Sequence, residues 1–194
     1  MYTITANFQN YWHIDTGRGS GQNLDSLVEK DQNKLPYISG KTIKGLFRDA
    51  VYKLDAWTGE QHVESLFGVR TDDANQGREK TYAGVLRFNN LELLNEEQAY
   101  LIANPILKSH FYKTHASTSI DFETGVAEDK SLRMSEVVIP LSLLGKITLL
   151  SGSGKCSLSE PEIYALLQEA ATMITHIGAN KNRGFGRVKL EVKR

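Results

Sequence analysis

Near its C-terminal end the sequence gathers three glycines, Gly178, Gly184 and Gly186, with Lys181, Arg183, Arg187 and Lys189 around one aromatic, Phe185. Before this segment, apolar residues fall at Ile163, Leu166, Leu167, Ala170, Ala171, Ile174 and Ile177, the three-and-four spacing of a helix with one buried stripe. Ser159 with Glu160 and Glu162 supplies its start, and the pattern predicts a helix running to His176. After the segment, Arg187-Val188-Lys189-Leu190-Glu191-Val192 alternates as a half-buried strand does. The chain must therefore pass from helix to strand through one tight turn, and glycine is the residue that allows it. Successive N–H groups in such a turn form a concave anion site, to which the cations add charge. The order excludes the dinucleotide-binding fingerprint, in which the strand precedes the loop, and the signature G-x-x-x-x-G-K-[ST] is absent. Taken alone, the segment also fits a surface turn whose charges are merely solvated.

A second cationic segment, Leu35–Asp55, changes that balance. Pro36-Tyr37-Ile38 reads as extended and Ser39-Gly40 as a turn, with a helix starting near Thr42. Ile43, Leu46, Phe47, Ala50, Val51 and Leu54 form its buried stripe. Lys41, Lys44 and Arg48 crowd its N-terminal end, where the helix dipole disfavours positive charge. Free N–H groups at a helix start bind phosphate, so cations there make sense if an anion is held; an exposed cationic face is the plainer alternative. Considered together, the two segments predict one phosphate-gripping face, with the glycine turn and the helix start side by side.

Composition narrows the classes. With 23 basic and 23 acidic side chains in 194 residues, the net charge is zero, which argues against a promiscuous free-standing nucleic-acid binder but not against cations gathered on one face. The single cysteine, Cys156, rules out an internal disulfide and any cysteine metal framework. No apolar run approaches the roughly 18 residues of a membrane span, and the first residues lack a signal-peptide layout. The expectation is a cytoplasmic protein with no membrane partner.

The first strand is read in Tyr2 to Ile14, with Ile4, Ala6 and Phe8 on one face and His13 at its end, where backbone could satisfy the ring. Asp15 to Lys34 is a long polar loop carrying Asp15, Asp25, Glu29 and Asp31; these are ordinary turn formers or candidates for metal-assisted chemistry. Arg70 to Lys80 reads as an excursion, and Thr81 to Leu93 returns to strand. In Leu107 to Ser131, Lys108, His110, Lys113 and His115 interleave with Phe111 and Tyr112 in a projecting hairpin, a combination that suits single-stranded nucleic acid. The order of elements predicts an α+β fold: a ferredoxin-like palm, with helices on one face of an antiparallel sheet, and a thumb hairpin. One domain covers 1–194, the palm being 1–105 and 132–194 and the thumb about 106–131.

The stretch Pro36-Tyr37-Ile38-Ser39-Gly40-Lys41-Thr42-Ile43-Lys44-Gly45-Leu46-Phe47-Arg48 resembles the PYIPG-type segment of the RAMP superfamily of CRISPR-associated proteins, and Gly178–Arg187 resembles that family's glycine-rich loop. Leu66-Phe67-Gly68, Gly84–Phe88, Ile120–Ala127 and Glu136–Pro140 match, in order, segments of the repeated backbone subunit of type III effector complexes. The resemblance implies a subunit that assembles with copies of itself and other effector subunits along CRISPR RNA and meets target RNA. It implies that Asp25 is the catalytic residue and a ligand of a divalent metal, Mg²⁺, for cutting target RNA. It places His13, Lys41, Lys44 and Arg48, with Lys181, Arg183, Phe185 and Arg187 of the loop, on the RNA, and makes the hairpin around Thr118 to Ala127 a thumb that wedges between bases. Two alternatives stand beside it: metal-independent processing of CRISPR RNA with His13 as general base, and a structural subunit without catalysis.

Overall fold

Four antiparallel strands form the sheet on which everything else is mounted. The computed structural model describes residues 1–17, 24–69, 82–150 and 156–194. The excursion expected at Arg70 to Lys80, and most of the connector expected at Ser151 to Ser157, lie outside them. Strand β1 (Tyr2–Phe8) lies in the middle, paired with β7 (Ser142–Leu149) on one side and β8 (Val188–Lys193) on the other. β4 (Leu86–Phe88) pairs with the outer edge of β7, giving the order β4-β7-β1-β8. Numbered by their place in this sheet the strands run 4-1-3-2 from β8, the ferredoxin-like arrangement. A short ribbon, β2 (Gly68–Val69) with β3 (Tyr82–Ala83), stands apart.

The alternation read in β1 is realised: Tyr2, Ile4, Ala6 and Phe8 are buried, and Thr3, Thr5 and Asn7 turn to the other face. Helices α1 (Gly40–Thr58) and α4 (Glu160–Met173) cover the apolar face and pack on each other. Their buried residues, among them Ile43, Phe47, Val51, Ile163 and Leu167, join Tyr2, Ile4, Leu143, Ile147, Leu190 and Val192 in one core. Helix α1 begins at Gly40 rather than near Thr42, because Ser39 caps it by accepting from the Thr42 N–H at 3.2 Å. Helix α2 (Val63–Phe67) follows it, and α3 (Asn95–Ala103) precedes a 3₁₀ turn at Pro105–Phe111.

The hairpin is β5 (Tyr112–Ser117) paired with β6 (Arg133–Val138), so its pairing continues beyond residue 131. Helix α4 stops at Met173 rather than His176. The next residues are claimed by the C-terminal strand: Val188 N–H donates to the Thr175 carbonyl at 2.9 Å and His176 bridges Arg187. Ile174 and Ile177 keep the buried places expected of them, beyond the end of the helix.

Two glycines make opposite predictions. Gly186 has φ +72 and a Cβ there would run into the Ile177 carbonyl. Gly186→Ala is therefore expected to cost about 1–3 kcal/mol from the backbone conformation alone. Gly45 is exposed inside α1 with open space around it, so Gly45→Ala should stabilise by up to about 1 kcal/mol. Urea unfolding measures both; shifts of the same sign would contradict these local accounts.

Candidate nucleic-acid interface

The glycine turn is built onto the end of β1. Ala179 N–H donates to the His13 carbonyl and Gly186 N–H to the Tyr11 carbonyl, both at 2.8 Å. Asn10 reaches across with both ends of its amide, Nδ2 donating to the Gly184 carbonyl at 2.5 Å and Oδ1 accepting from Arg187 N–H at 2.8 Å. Arg183 and Phe185 N–H both donate to the Asn180 carbonyl. Five N–H groups of the turn, those of Ala179, Arg183, Phe185, Gly186 and Arg187, are thus spent inside the protein, so the expected backbone anion cradle is largely taken up by the turn's own bonding. Its charge remains: Lys181, Arg183 and Arg187 are exposed, and none has an acidic partner among the described residues. Phe185 was expected on the RNA. It is only 9% exposed and meets His115 of β5 edge to face at 4.8 Å, so its ring joins the turn to the hairpin and offers no open face for a base.

The second cationic set lies on α1, but not on the flank that faces the turn. At about 100° per residue, Lys41, Lys44 and Arg48 fall within about 60° of one another, roughly opposite Leu46 and Lys53. A cleft of about 310 Å³ between α1 and the turn is lined by Leu46, Asp49, Lys53, His176, Lys181 and Asn182. The turn borders the middle of the helix rather than its start, and the expected single face becomes two cationic flanks. Gly45, without a side chain, sits on the exposed ridge between them. Lys41 and Arg48 are exposed, and Lys44 is half-buried. Burial first, and the neighbouring Arg48 charge second, hold the Lys44 ammonium below the ordinary lysine range.

The polar loop is bound to the hairpin. Asp25 N–H donates to the Met134 carbonyl at 2.8 Å, and Met134 N–H returns to Asp25 Oδ2 at 2.7 Å. Ser26 bridges Ser135 in parallel, and Glu136 N–H donates to the Ser26 carbonyl at 3.0 Å. These bonds make Asp25–Ser26 a short extra strand on the free edge of β6, with the Asp25 side chain exposed. The other loop acids are engaged in the loop's own architecture: Asp15 with Gly17 N–H, Asp31 with Asn33 and Leu35 N–H, Glu29 with the Tyr37 hydroxyl at 2.6 Å. The last bond, with burial second, pushes the Tyr37 phenol up to about 12.

His13, expected as an RNA contact and as the alternative general base, is 3% exposed. Its Nδ1 lies 2.6 Å from the Glu136 carbonyl and its Nε2 2.8 Å from Ser26 Oγ, so neither ring nitrogen is open to a ligand. Of the basic and aromatic residues of the hairpin base, His110, Lys113 and His115 are exposed, whereas Lys108 and Tyr112 are engaged by the polar loop. Lys108 donates to the Asn33 carbonyl, the Tyr112 hydroxyl to the Lys34 carbonyl, and Lys30 lies 4.0 Å over the Tyr112 ring. Burial, with the Glu136 and Asp31 charges, drives the Tyr112 phenol upward.

Glu136 is the functional-looking residue that spacing did not single out. It takes Lys30 at 2.7 Å and the Val28 N–H at 3.2 Å, partners more than a hundred positions away. The hairpin tip carries Ile120, Phe122 and Val126 exposed to solvent. Asp121 stiffens it by accepting from the Glu123 and Thr124 N–H groups, and the bonds from Thr124, backbone and side chain, hold its carboxyl below the usual range.

Asp25 fits a Mg²⁺ ion held through one carboxylate, with waters and substrate phosphates completing the shell: Oδ2 is oriented by Met134, and the side chain faces solvent. Among the described residues, the one group of three His, Cys, Asp or Glu side chains close enough to share an ion is Asp55, Glu60 and His62. There Asp55 already caps α2 through the His62 and Val63 N–H groups.

A half-buried cation beside another cation weakens the fold that holds it. Lys44→Met should raise the unfolding midpoint at neutral pH. As pH climbs from the lowered Lys44 value towards the ordinary 10.5, the folded wild type sheds this charge more readily than the unfolded chain, so its deficit against Lys44→Met should shrink. Thermal melts at a series of alkaline pH values would show a constant gap if Lys44 titrated normally.

A family model described as the RAMP superfamily matches residues 5–189. No curated protein sequence matches significantly. Among solved structures, a chain of a type III-B Cmr-beta structure in the apo state is similar with a TM-score of 0.68 at 11% identity, covering 98% of this chain and 96% of its own. A chain from type III-B Cmr-beta bound to cognate target RNA gives 0.67 at 11% identity with the same coverage. No helix among the described residues is long and apolar enough to cross a membrane.

Proposed function

The chain belongs to the RAMP superfamily, and we propose that it is an RNA-binding subunit of a type III CRISPR effector assembly, repeated along CRISPR RNA, that cuts target RNA at Asp25. The observation that carries this reading is the set of exposed cations on both flanks of α1, none with an acidic partner among the described residues, around a ridge left bare at Gly45. Phosphates of a guide strand crossing that ridge would meet Lys41, Lys44 and Arg48 on one side and Lys181, Arg183 and Arg187 on the other. Backbone contacts of this kind hold RNA without reading its sequence. The Cmr-beta likeness, one of its structures carrying target RNA, supports the same partner class.

In this reading the hairpin projects over the RNA, and its tip, with Phe122 fully exposed, wedges between bases. Asp25, on the edge of β6 beside Met134, presents a carboxylate to the target phosphate and would hold Mg²⁺. When bound, that ion supplies charge stabilisation at the phosphate and orients a water. Met134 N–H fixes one carboxylate oxygen, so the other is aimed without rearrangement. Metal-independent processing with His13 as base has less support, because the buried ring has both nitrogens engaged.

Asp25→Ala should abolish target cutting in Mg²⁺ while leaving guide binding unchanged. Undiminished cutting would leave the structural-subunit alternative. Removing one exposed cation, as in Arg183→Ala, should weaken RNA binding about equally for all sequences and reduce the slope of log affinity against log salt by roughly 0.7–0.9. A sequence-dependent loss would place Arg183 on a base instead.

A further inference from the structure

We propose that His13 is a positioning residue for Asp25: its buried ring ties Ser26, the neighbour of Asp25, to the second strand of the hairpin. This rests on the role proposed for Asp25. A carbonyl oxygen only accepts, so the ring donates from Nδ1 to Glu136 and accepts the Ser26 hydroxyl at Nε2. Phenylalanine would fill the same space and remove the bond from both partners.

The ring is one half of a two-sided connection. The backbone of His13 faces the other way: its carbonyl accepts from Ala179, and Gly178 packs against it so closely that a Cβ there would collide with the oxygen. A single residue therefore touches the cationic turn with its main chain and the Asp25 segment with its side chain. The distance between the guide-holding turn and the cutting carboxylate is set through His13. Ser26 is the sensitive link, because among the described residues the Asp25 carboxylate itself is held by one hydrogen bond, from Met134.

The test uses the full chain assembled with guide RNA and its partner subunits, in wild type, His13→Asn, Ser26→Ala and the double variant. Asparagine keeps a donor near Nδ1 and drops the Ser26 bond; Ser26→Ala removes the same bond from the other end with little risk to folding. Each single variant is expected to lower the turnover of target cutting about tenfold, within the loss of up to about 100-fold that a displacement near 1 Å produces. KM for target and guide content should stay as in wild type. The double variant should be no slower than the slower single. Amide exchange of residues 24–29 should quicken in both singles, a readout independent of cutting. His13→Gln, which returns a polar group near Nε2, should recover part of the loss. Unchanged exchange in 24–29 in both singles overturns the proposal. So do losses that multiply in the double, or a fall in guide content with turnover intact, which would make His13 an RNA contact. Quickened exchange in an assembly whose wild type does not cut supports the anchor and defeats only the Asp25 reading.

Discussion

The arrangement depends on a seam, the residues that continue β1 beyond Phe8. Gln9, Tyr11 and His13 exchange main-chain hydrogen bonds with Arg187, Gly186 and Ala179, while Trp12 exchanges a pair with Val138 at the foot of the hairpin. The ladder's alternation sends successive main-chain groups to opposite sides, so one short stretch grips the cationic turn with its odd members and the hairpin with Trp12. Trp12 is wholly buried and stacked on Phe8 at 4.4 Å, which fixes the stretch against the core. The sheet thus places the turn and the hairpin, and contacts among turn, hairpin and polar loop, such as Phe185 on His115 and Asp25 on Met134, hold them together.

The distribution of charge follows from that placement. The chain is neutral overall, yet its acids and bases are used differently. Glu136 is bonded to Lys30 and Val28, and Asp31 and Glu29 to loop groups. Lys41, Arg48, Lys181, Arg183 and Arg187 are left facing solvent on α1 and the turn. Segregation of this kind gives a local positive surface without a positive molecule, which limits non-specific attraction to nucleic acid at a distance.

Much of the fold was legible because it is written in local periodicity. The stripe in α1, the alternation of β1 and β8, and the serine and acids opening α4 are all short-range signals. Legibility failed where partners are distant. Nothing near Glu136 shows that it will meet Lys30, and nothing near His13 shows that it will bridge Ser26 and Glu136. Phe185 sits among cations in the sequence and was placed on the RNA with them, but its neighbour in space is His115. The two cationic segments were read as one face; the helical phase of Lys44 against Leu46, which divides them into two flanks, was available from the spacing and is the signal that would have separated them.

The position of β1 has a consequence for how the protein is made. Strand β1 pairs with two strands far along the sequence, β7 and β8, and its extension at Tyr11 and His13 is closed by residues 179–186. During synthesis the apolar β1 therefore waits for its partners until residues 142–193 have emerged. Contacts of such long sequence separation are slow to form, and a strand edge waiting that long is open to mispairing. The step that completes the sheet is the same one that brings the cationic turn against the seam.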